Sequence, residues 1–326
     1  MKKLMFPRFA FVSLVILIIL SGCKSQPPTP APKMPIRMGA VRAAYYLPLF
    51  VVQEKELLKK RGYESQLELF NTNPAMIDSF LAGKLEIAAQ SSGTMFPLEL
   101  QHPNQFRFIY GQNNKSYSFI VLKTSKIRTL ADLRGKKIAT WPSPTAKVFV
   151  ELCLKRFFDP KEATIIPKDF ALLNQVLYQH DVDAVFNTDV FTAQALHSGK
   201  AKILEEFPMT KYILSPLFNG GGFVREQFAE SQPDATSAVV QAFNEAIEYI
   251  ATHPEEARLL MTKYVSADRS DLLAAQLDDY VQVTQINIPK AQELADILAS
   301  SGLMNRDIQV STLLYHSTLS EKQQPR

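Results

Sequence analysis

The chain has little of what most metal, redox and nucleophilic sites are built from. Its 326 residues hold two cysteines, five histidines and one tryptophan. The histidines, His102, His180, His197, His253 and His316, are scattered and form no metal-spaced pair. No HExxH, GxSxG or GxxxxGK stretch occurs, which argues against zinc peptidases, nucleophile-elbow hydrolases and P-loop enzymes. Long apolar runs are lacking too. Residues 9–20 are almost wholly apolar, but a membrane-crossing helix needs about 20 such residues. An excess of one charge is also missing. The formal +4 includes Lys2, Lys3 and Arg8, so the chain from Cys23 onward carries only +1. A body so near neutrality has no electrostatic footing on nucleic acid.

What the first residues do contain is a basic start, a short apolar core and Leu20-Ser21-Gly22-Cys23. A charged n-region before a short h-region reads as a secretory signal. The tetrapeptide resembles the lipobox of bacterial lipoproteins, which implies a leader at 1–22 and lipid on Cys23. An uncleaved anchor is the alternative, against which the length argues. Acylation of Cys23 would leave Cys153 no partner for a disulfide, and its place on an apolar helical face marks it as a small core residue. Residues 24–35 carry Pro27, Pro28, Pro30, Pro32 and Pro35. Such a stretch favours polyproline II, and at about 3.1 Å per residue it spans roughly 37 Å. It reads as a tether holding a globular body off a membrane.

The body is organised around residues 129–157. A short polar helix start and a basic turn lead to a strand at 137–140. Trp141-Pro142-Ser143-Pro144-Thr145 and a helix follow. Ser143 stands where an N-cap belongs, and Pro144 suits the first helical position. Val148, Phe149, Leu152, Cys153 and Phe157 have the spacing of one buried face. A strand feeding a helix start exposes unpaired amides at the positive end of the dipole, a ready anion site. Ser143 and Thr145 add hydroxyls there, with Lys147 close by; the simpler reading of the stretch alone is that Ser143 caps its own helix and binds nothing.

Elsewhere strands alternate with helices. Strands are expected at 36–40, 66–70, 85–89, 106–110, 117–122 and 164–166, with helices opening after Tyr45-Tyr46 and at Asn73-Pro74. That rhythm predicts a parallel α/β architecture. Residues 202–204 and 212–217 carry the chain back from a second lobe. Asn219-Gly220-Gly221-Gly222 reads as a hinge neighbour or an ordinary glycine loop, and from Phe223 onward the chain reads as mostly helical. No internal repeat is present, and the tail from Ser317 reads as frayed.

Several phrases resemble one family, the type II periplasmic binding proteins, in the branch serving ABC importers of sulfonates, nitrate and thiamine-precursor pyrimidines. Leu-Ala-Asp-Leu-Arg-Gly-Lys-Lys-Ile-Ala at 130–139 resembles the entry to its second lobe. Residues 47–58 and 79–88 resemble first-lobe phrases, with Glu56 where glycine is commoner and Glu86 for the usual aspartate, which pairs or caps locally. His180-Asp181-Val182-Asp183-Ala184 resembles a strand whose end faces the ligand, and residues 232–257 resemble the family's later helices. The resemblance spans 36 to about 299. It implies an α/β, two-lobe periplasmic binding protein type II fold: each lobe a mostly parallel sheet flanked by helices, with the ligand cleft between them. Lobe 1 is expected at 36–118 and 216–326, lobe 2 at 119–215.

In open α/β sheets ligands bind at the carboxyl ends of strands. Three polar clusters lie there: Ser91-Ser92-Thr94, Ser143-Thr145 and Asn187-Thr188-Asp189. Tyr45, Tyr46 and Trp141 offer flat apolar surface, although one tyrosine should face the core and packing is the alternative reading of Trp141. The resemblance implies a binding protein, not an enzyme, without cofactor or metal. It would be monomeric, lipid-anchored outside the cytoplasm, and would pass a small solute to an ABC permease and its ATPase. Hydroxyls and helix starts favour an anion or zwitterion, whereas Asp189 suits an amine or ring nitrogen; taurine or an aminopyrimidine would satisfy both. The alternatives are a tethered ligand sensor or an enzyme of pyrimidine or menaquinone-precursor synthesis.

Overall fold

A computed structural model of the chain describes residues 34–316. The leader, Cys23, residues 24–33 and the tail from Ser317 lie outside the described residues. Twelve strands form two sheets among these: β1 (Ile36–Val41), β2 (Ser65–Phe70), β3 (Ile87–Gln90), β4 (Phe106–Phe108), β5 (Tyr110–Asn113), β6 (Tyr117–Leu122), β7 (Lys137–Thr140), β8 (Thr164–Pro167), β9 (Ala184–Thr188), β10 (Ala201–Glu206), β11 (Phe218–Arg225) and β12 (Asp279–Gln282). The first sheet runs β12-β5-β11-β3-β1-β2, with β4 on β11; the second runs β10-β6-β9-β7-β8. The chain thus leaves the first sheet after Asn113 and returns at Phe218.

Each sheet has a parallel part and an antiparallel part. β1 pairs parallel with β2 and β3, and β7 with β8 and β9. These are the strand–helix–strand units that alternation in the sequence announces. β11 and β12 then join β3 and β5 antiparallel, and β6 joins β9 and β10 likewise.

Local chemistry explains most helix starts. Thr72 accepts from the Ala75 amide before the Asn73–Leu81 helix, whose Met76, Ile77 and Phe80 are buried. Proline occupies the first turn of the helices Pro144–Leu154, Pro233–Thr252 and Pro254–Leu260. The 20-residue Pro233–Thr252 helix lays Ala235, Val239, Ala242, Phe243, Ala246 and Ile250 into the core. The buried face of Pro144–Leu154 is rotated from expectation. Phe149 and Cys153 are inside with Ala146 and Val150, Val148 and Leu152 are half-buried, and Phe157 lies beyond the helix, 36% exposed.

The glycine run is not a loop. Asn219-Gly220-Gly221-Gly222 lies inside β11, a central strand. A Cβ on Gly221 would stand 2.1 Å from the Tyr110 carbonyl, and one on Gly222 1.9 Å from the Tyr110 ring. The glycines are there for close approach, which periodicity does not encode. β12 was likewise hidden in a stretch read as helical. The two departures from the family's phrases are both accommodated. Glu56 adopts a left-handed φ of 50°. Buried Glu86 accepts from the Arg37 amide at 2.8 Å and from Arg37 Nε at 3.0 Å, with Arg225 3.5 Å away.

These two backbone sites should respond oppositely. Glu56→Gly relieves a conformation costing a side chain about 1–2 kcal/mol, and should raise the urea midpoint slightly. Gly221→Ala puts a carbon into a backbone carbonyl and should cost about 3 kcal/mol or more, read from the same curves.

Candidate functional site

Strand ends and helix starts from the two sheets come together. The helix Ser92–Gln101 follows β3, and Pro144–Leu154 follows β7. Thr145 Oγ1, in the second helix, donates to the Gly93 carbonyl in the first at 3.2 Å. Both residues are buried, and a Cβ on Gly93 would lie 2.1 Å from Thr145 Cγ2. Thr145 is therefore a contact between the two halves of the fold, with its hydroxyl already engaged. Ser143 sits at the N-cap in extended backbone, yet its hydroxyl makes no capping bond. Of its two readings, the cap is not realised, and the hydroxyl remains for another partner.

The other expected residues divide sharply. Ser91 is half-buried, with Oγ 3.3 Å from Thr94 Oγ1 and no capping bond. Ser92 turns inward: it is fully buried and donates to the Phe218 carbonyl at 2.9 Å, which removes it from a ligand. Asn187 is also a correction. It is fully buried; its Nδ2 donates to Asn174 Oδ1 at 2.9 Å and its Oδ1 accepts from the Thr188 amide at 3.0 Å. Strand alternation points it inside, where both atoms of its amide are engaged and it fixes the strand end. Of the tyrosines, Tyr46 faces the core, 2% exposed, and bonds Asn73 Oδ1 at 2.8 Å. Tyr45 is half-buried, and its hydroxyl donates to the Asn219 carbonyl at 3.3 Å.

Trp141 belongs to an aromatic stack. Its ring lies 5.5 Å from Phe186 and 5.2 Å from Phe170, nearly parallel to both, and Tyr117 tilts against it at 5.3 Å. Phe170 continues onto Phe191. Trp141 is half-buried and Phe170 is 36% exposed, so the stack packs and also presents an aromatic face.

Where the chain passes between the sheets, Asp189 is joined by polar groups that the sequence pattern does not reveal. The Asp189 amide donates to the Ser116 carbonyl at 2.8 Å. Asp278, 9% exposed and just before β12, accepts from the Lys115 amide at 2.9 Å and from Asn219 Nδ2 at 3.2 Å. Gln112 Nε2 donates to the Tyr45 carbonyl at 3.0 Å, and the Tyr280 hydroxyl to the Ala44 carbonyl at 3.4 Å. Gln112, Asn114 and Asn219 are at most 1% exposed, yet Gln112 Oε1, Asn219 Oδ1 and both amide atoms of Asn114 lack a protein partner. Buried polar atoms without partners are costly, and a concentration of them marks a place that water or a ligand completes. The signals available were weak: Asn219 beside its glycines, and an aspartate pair in a region that looks helical.

Electrostatics at this crossing are acidic. Burial pushes the Asp189 carboxyl up to about 7, opposed by the Val190 amide that donates to it and reinforced by Asp278. Burial also raises Asp278, against the hydrogen bonds that hold it. Among the described residues no lysine or arginine is buried, and no ion pair involves either aspartate. The same residues hold no cluster of His, Cys, Asp and Glu suited to a metal. Cys153 is fully buried and burial raises its thiol, so it is no nucleophile. The arrangement is one for gripping a small molecule through hydrogen bonds and ring faces.

A carboxyl whose folded pKa is raised keeps its proton in the fold while the unfolded chain loses it. Stability contributed by Asp189 should therefore fall as pH rises from about 4 to about 7, then level off. Thermal unfolding of the ligand-free protein should show this decline, and Asp189→Asn should flatten it.

Comparison with known proteins agrees with this geometry. A family model described as NMT1/THI5 like matches residues 43–257. A protein of Escherichia coli (strain K12) named for binding aliphatic sulfonates is 23% identical over 292 residues, 85% of this chain and 88% of that one. Among solved structures, the periplasmic aliphatic sulphonate binding protein SsuA from Escherichia coli superposes with a TM-score of 0.74 at 17% identity, over 87% of this chain and 92% of its own. The periplasmic nitrate-binding protein NrtA from Synechocystis PCC 6803 gives 0.70 at 11%, covering 88% and 87%. The desulfurization enzyme DSZB gives 0.67 at 13%, covering 88% and 97%. The fold is the two-lobe fold of periplasmic binding proteins, and the chain belongs to the NMT1/THI5-like family.

Proposed function

We propose that this chain is the substrate-binding component of an ABC importer. It would capture a small organic solute between its lobes, residues 36–118 with 216–326 and residues 119–215, and deliver it to a permease. The observation that carries this reading is the set of partnerless buried polar groups at the crossing between the sheets, together with helix starts of the two halves that touch through Thr145 and Gly93. Tyr45, Ser91, Trp141, Ser143 and Asp189 are the expected residues that remain available to a ligand. The solute falls in the class of sulfonates, nitrate, taurine or aminopyrimidines. Lipid on Cys23 and the proline-rich stretch would keep the protein at the membrane face, outside the cytoplasm.

An enzyme reading draws on the likeness to DSZB, but fold alone carries no chemistry. The one described cysteine is sealed in the core. A tethered sensor differs from an importer component only in its partner, so co-purification with a permease separates the two.

Trp141 is the only tryptophan in the chain, which makes its fluorescence a site-specific reporter. Native mass spectrometry of the chain from Lys24 should show a bound small molecule. Adding solute at about a hundredfold excess over its dissociation constant should stabilise the fold by roughly 2.7 kcal/mol and change Trp141 emission. If lobe closure captures the solute, Gly93→Val should hold the helix starts apart, enlarge the radius of gyration and weaken binding about tenfold for each tenfold loss of closed population. A Gly93→Val protein that binds and compacts like the parent would argue against capture by closure.

A further inference from the structure

The two aspartates at the crossing come from opposite halves of the fold. Asp189 follows β9 of the second sheet and Asp278 precedes β12 of the first. They meet on one residue, Ser116: its carbonyl accepts from the Asp189 amide, and its hydroxyl hydrogen-bonds Asp278. Tyr117 and Tyr280 lie near enough to feel both carboxyls and Tyr45 near enough to feel Asp278, and the Trp141 stack abuts Tyr117. The buried Asn219 reaches Asp278 with Nδ2 and leaves Oδ1, a second acceptor, without a partner. Cations at this end of the sheets, Arg42 and Lys168, are exposed, Lys147 pairs loosely with Glu151, and Lys115 is held by Asp279 at 2.7 Å. The interior thus presents carboxylates, amide acceptors and π-faces, with no buried positive charge.

Resting on the capture reading above, we propose that Asp189 and Asp278 determine ligand charge: the cleft takes a small, flat solute bearing a protonated nitrogen and disfavours a bare sulfonate or nitrate. A cation between two carboxylates offsets their repulsion, while the aromatic faces attract it through their quadrupoles. A sulfonate in the same place would bring a third negative charge against two carboxylates and Asn219 Oδ1, with no buried cation to meet it. A solute carrying both groups would place its ammonium at the aspartates and its anion outward, at Ser143 and the helix start.

Three probes of one shape separate charge from fit: benzylamine, benzyl alcohol and benzenesulfonate, titrated by calorimetry into the chain from Lys24 at pH 7.5. Benzylamine should bind tightest and benzenesulfonate weakest. Asp189→Asn and Asp278→Asn should each weaken benzylamine at least about tenfold while leaving benzyl alcohol within about threefold. Because Asp278 also holds the Lys115 amide, Asp189→Asn carries the test if Asp278→Asn unfolds. Benzenesulfonate binding as tightly as benzylamine, or a cation-to-anion preference unchanged in both variants, overturns the assignment. The solute that co-purifies, identified by native mass spectrometry, reads out capture separately. A bound anion without basic nitrogen sinks the charge assignment and leaves capture standing, and a chain that neither co-purifies with a solute nor binds any probe sinks both.

Discussion

Strand β11 has to pass closer to its neighbours than side chains allow. It runs antiparallel between β3 and β5, and at Gly220 even a methyl group would meet the Gln90 carbonyl at 2.3 Å. Three glycines in succession meet that constraint, and the site depends on it. The strand's first residues carry Asn219 to the crossing, where its carbonyl holds Tyr45 and its amide holds Asp278. Through Asp278 the same residue steadies Lys115, and hence the segment by which the chain leaves for the second sheet. A backbone packing requirement in the first sheet therefore positions polar groups drawn from three distant parts of the sequence.

The parallel units were legible in the residues because their signals are local. Asn73-Pro74 and Ser143-Pro144 mark helix starts, and the apolar strands 117–122 and 137–140 stand where they were expected. Strands β11 and β12 were not, since β11 gets its pairing from glycines that carry no apolar pattern and β12 from contacts made across the fold. The Tyr212–Leu217 stretch shows the same limit: its first residue ends a short helix, Pro208–Tyr212, and no strand follows before Phe218.

The candidate site was half visible for a related reason. Reading polar residues at strand ends finds those that emerge from parallel strands, which is how Ser91, Ser143 and Asp189 were reached. It cannot say which way a side chain turns, so Ser92 and Asn187 satisfy the same pattern although both are spent inside the fold. Nor does it see residues that reach the crossing by tertiary pairing. Asp278 lies some ninety positions beyond Asp189 and meets Ser116 only once the first sheet is complete.

The contact between Thr145 and Gly93 is a single neutral hydrogen bond. Such a bond has a net worth of about 1 kcal/mol, roughly a fivefold bias between two states. The halves are joined elsewhere as well, by His197 Nδ1 and Asp271 Oδ1 at 2.6 Å, so the Thr145 hydroxyl is a small increment of the seam that can be altered without touching the polar crossing.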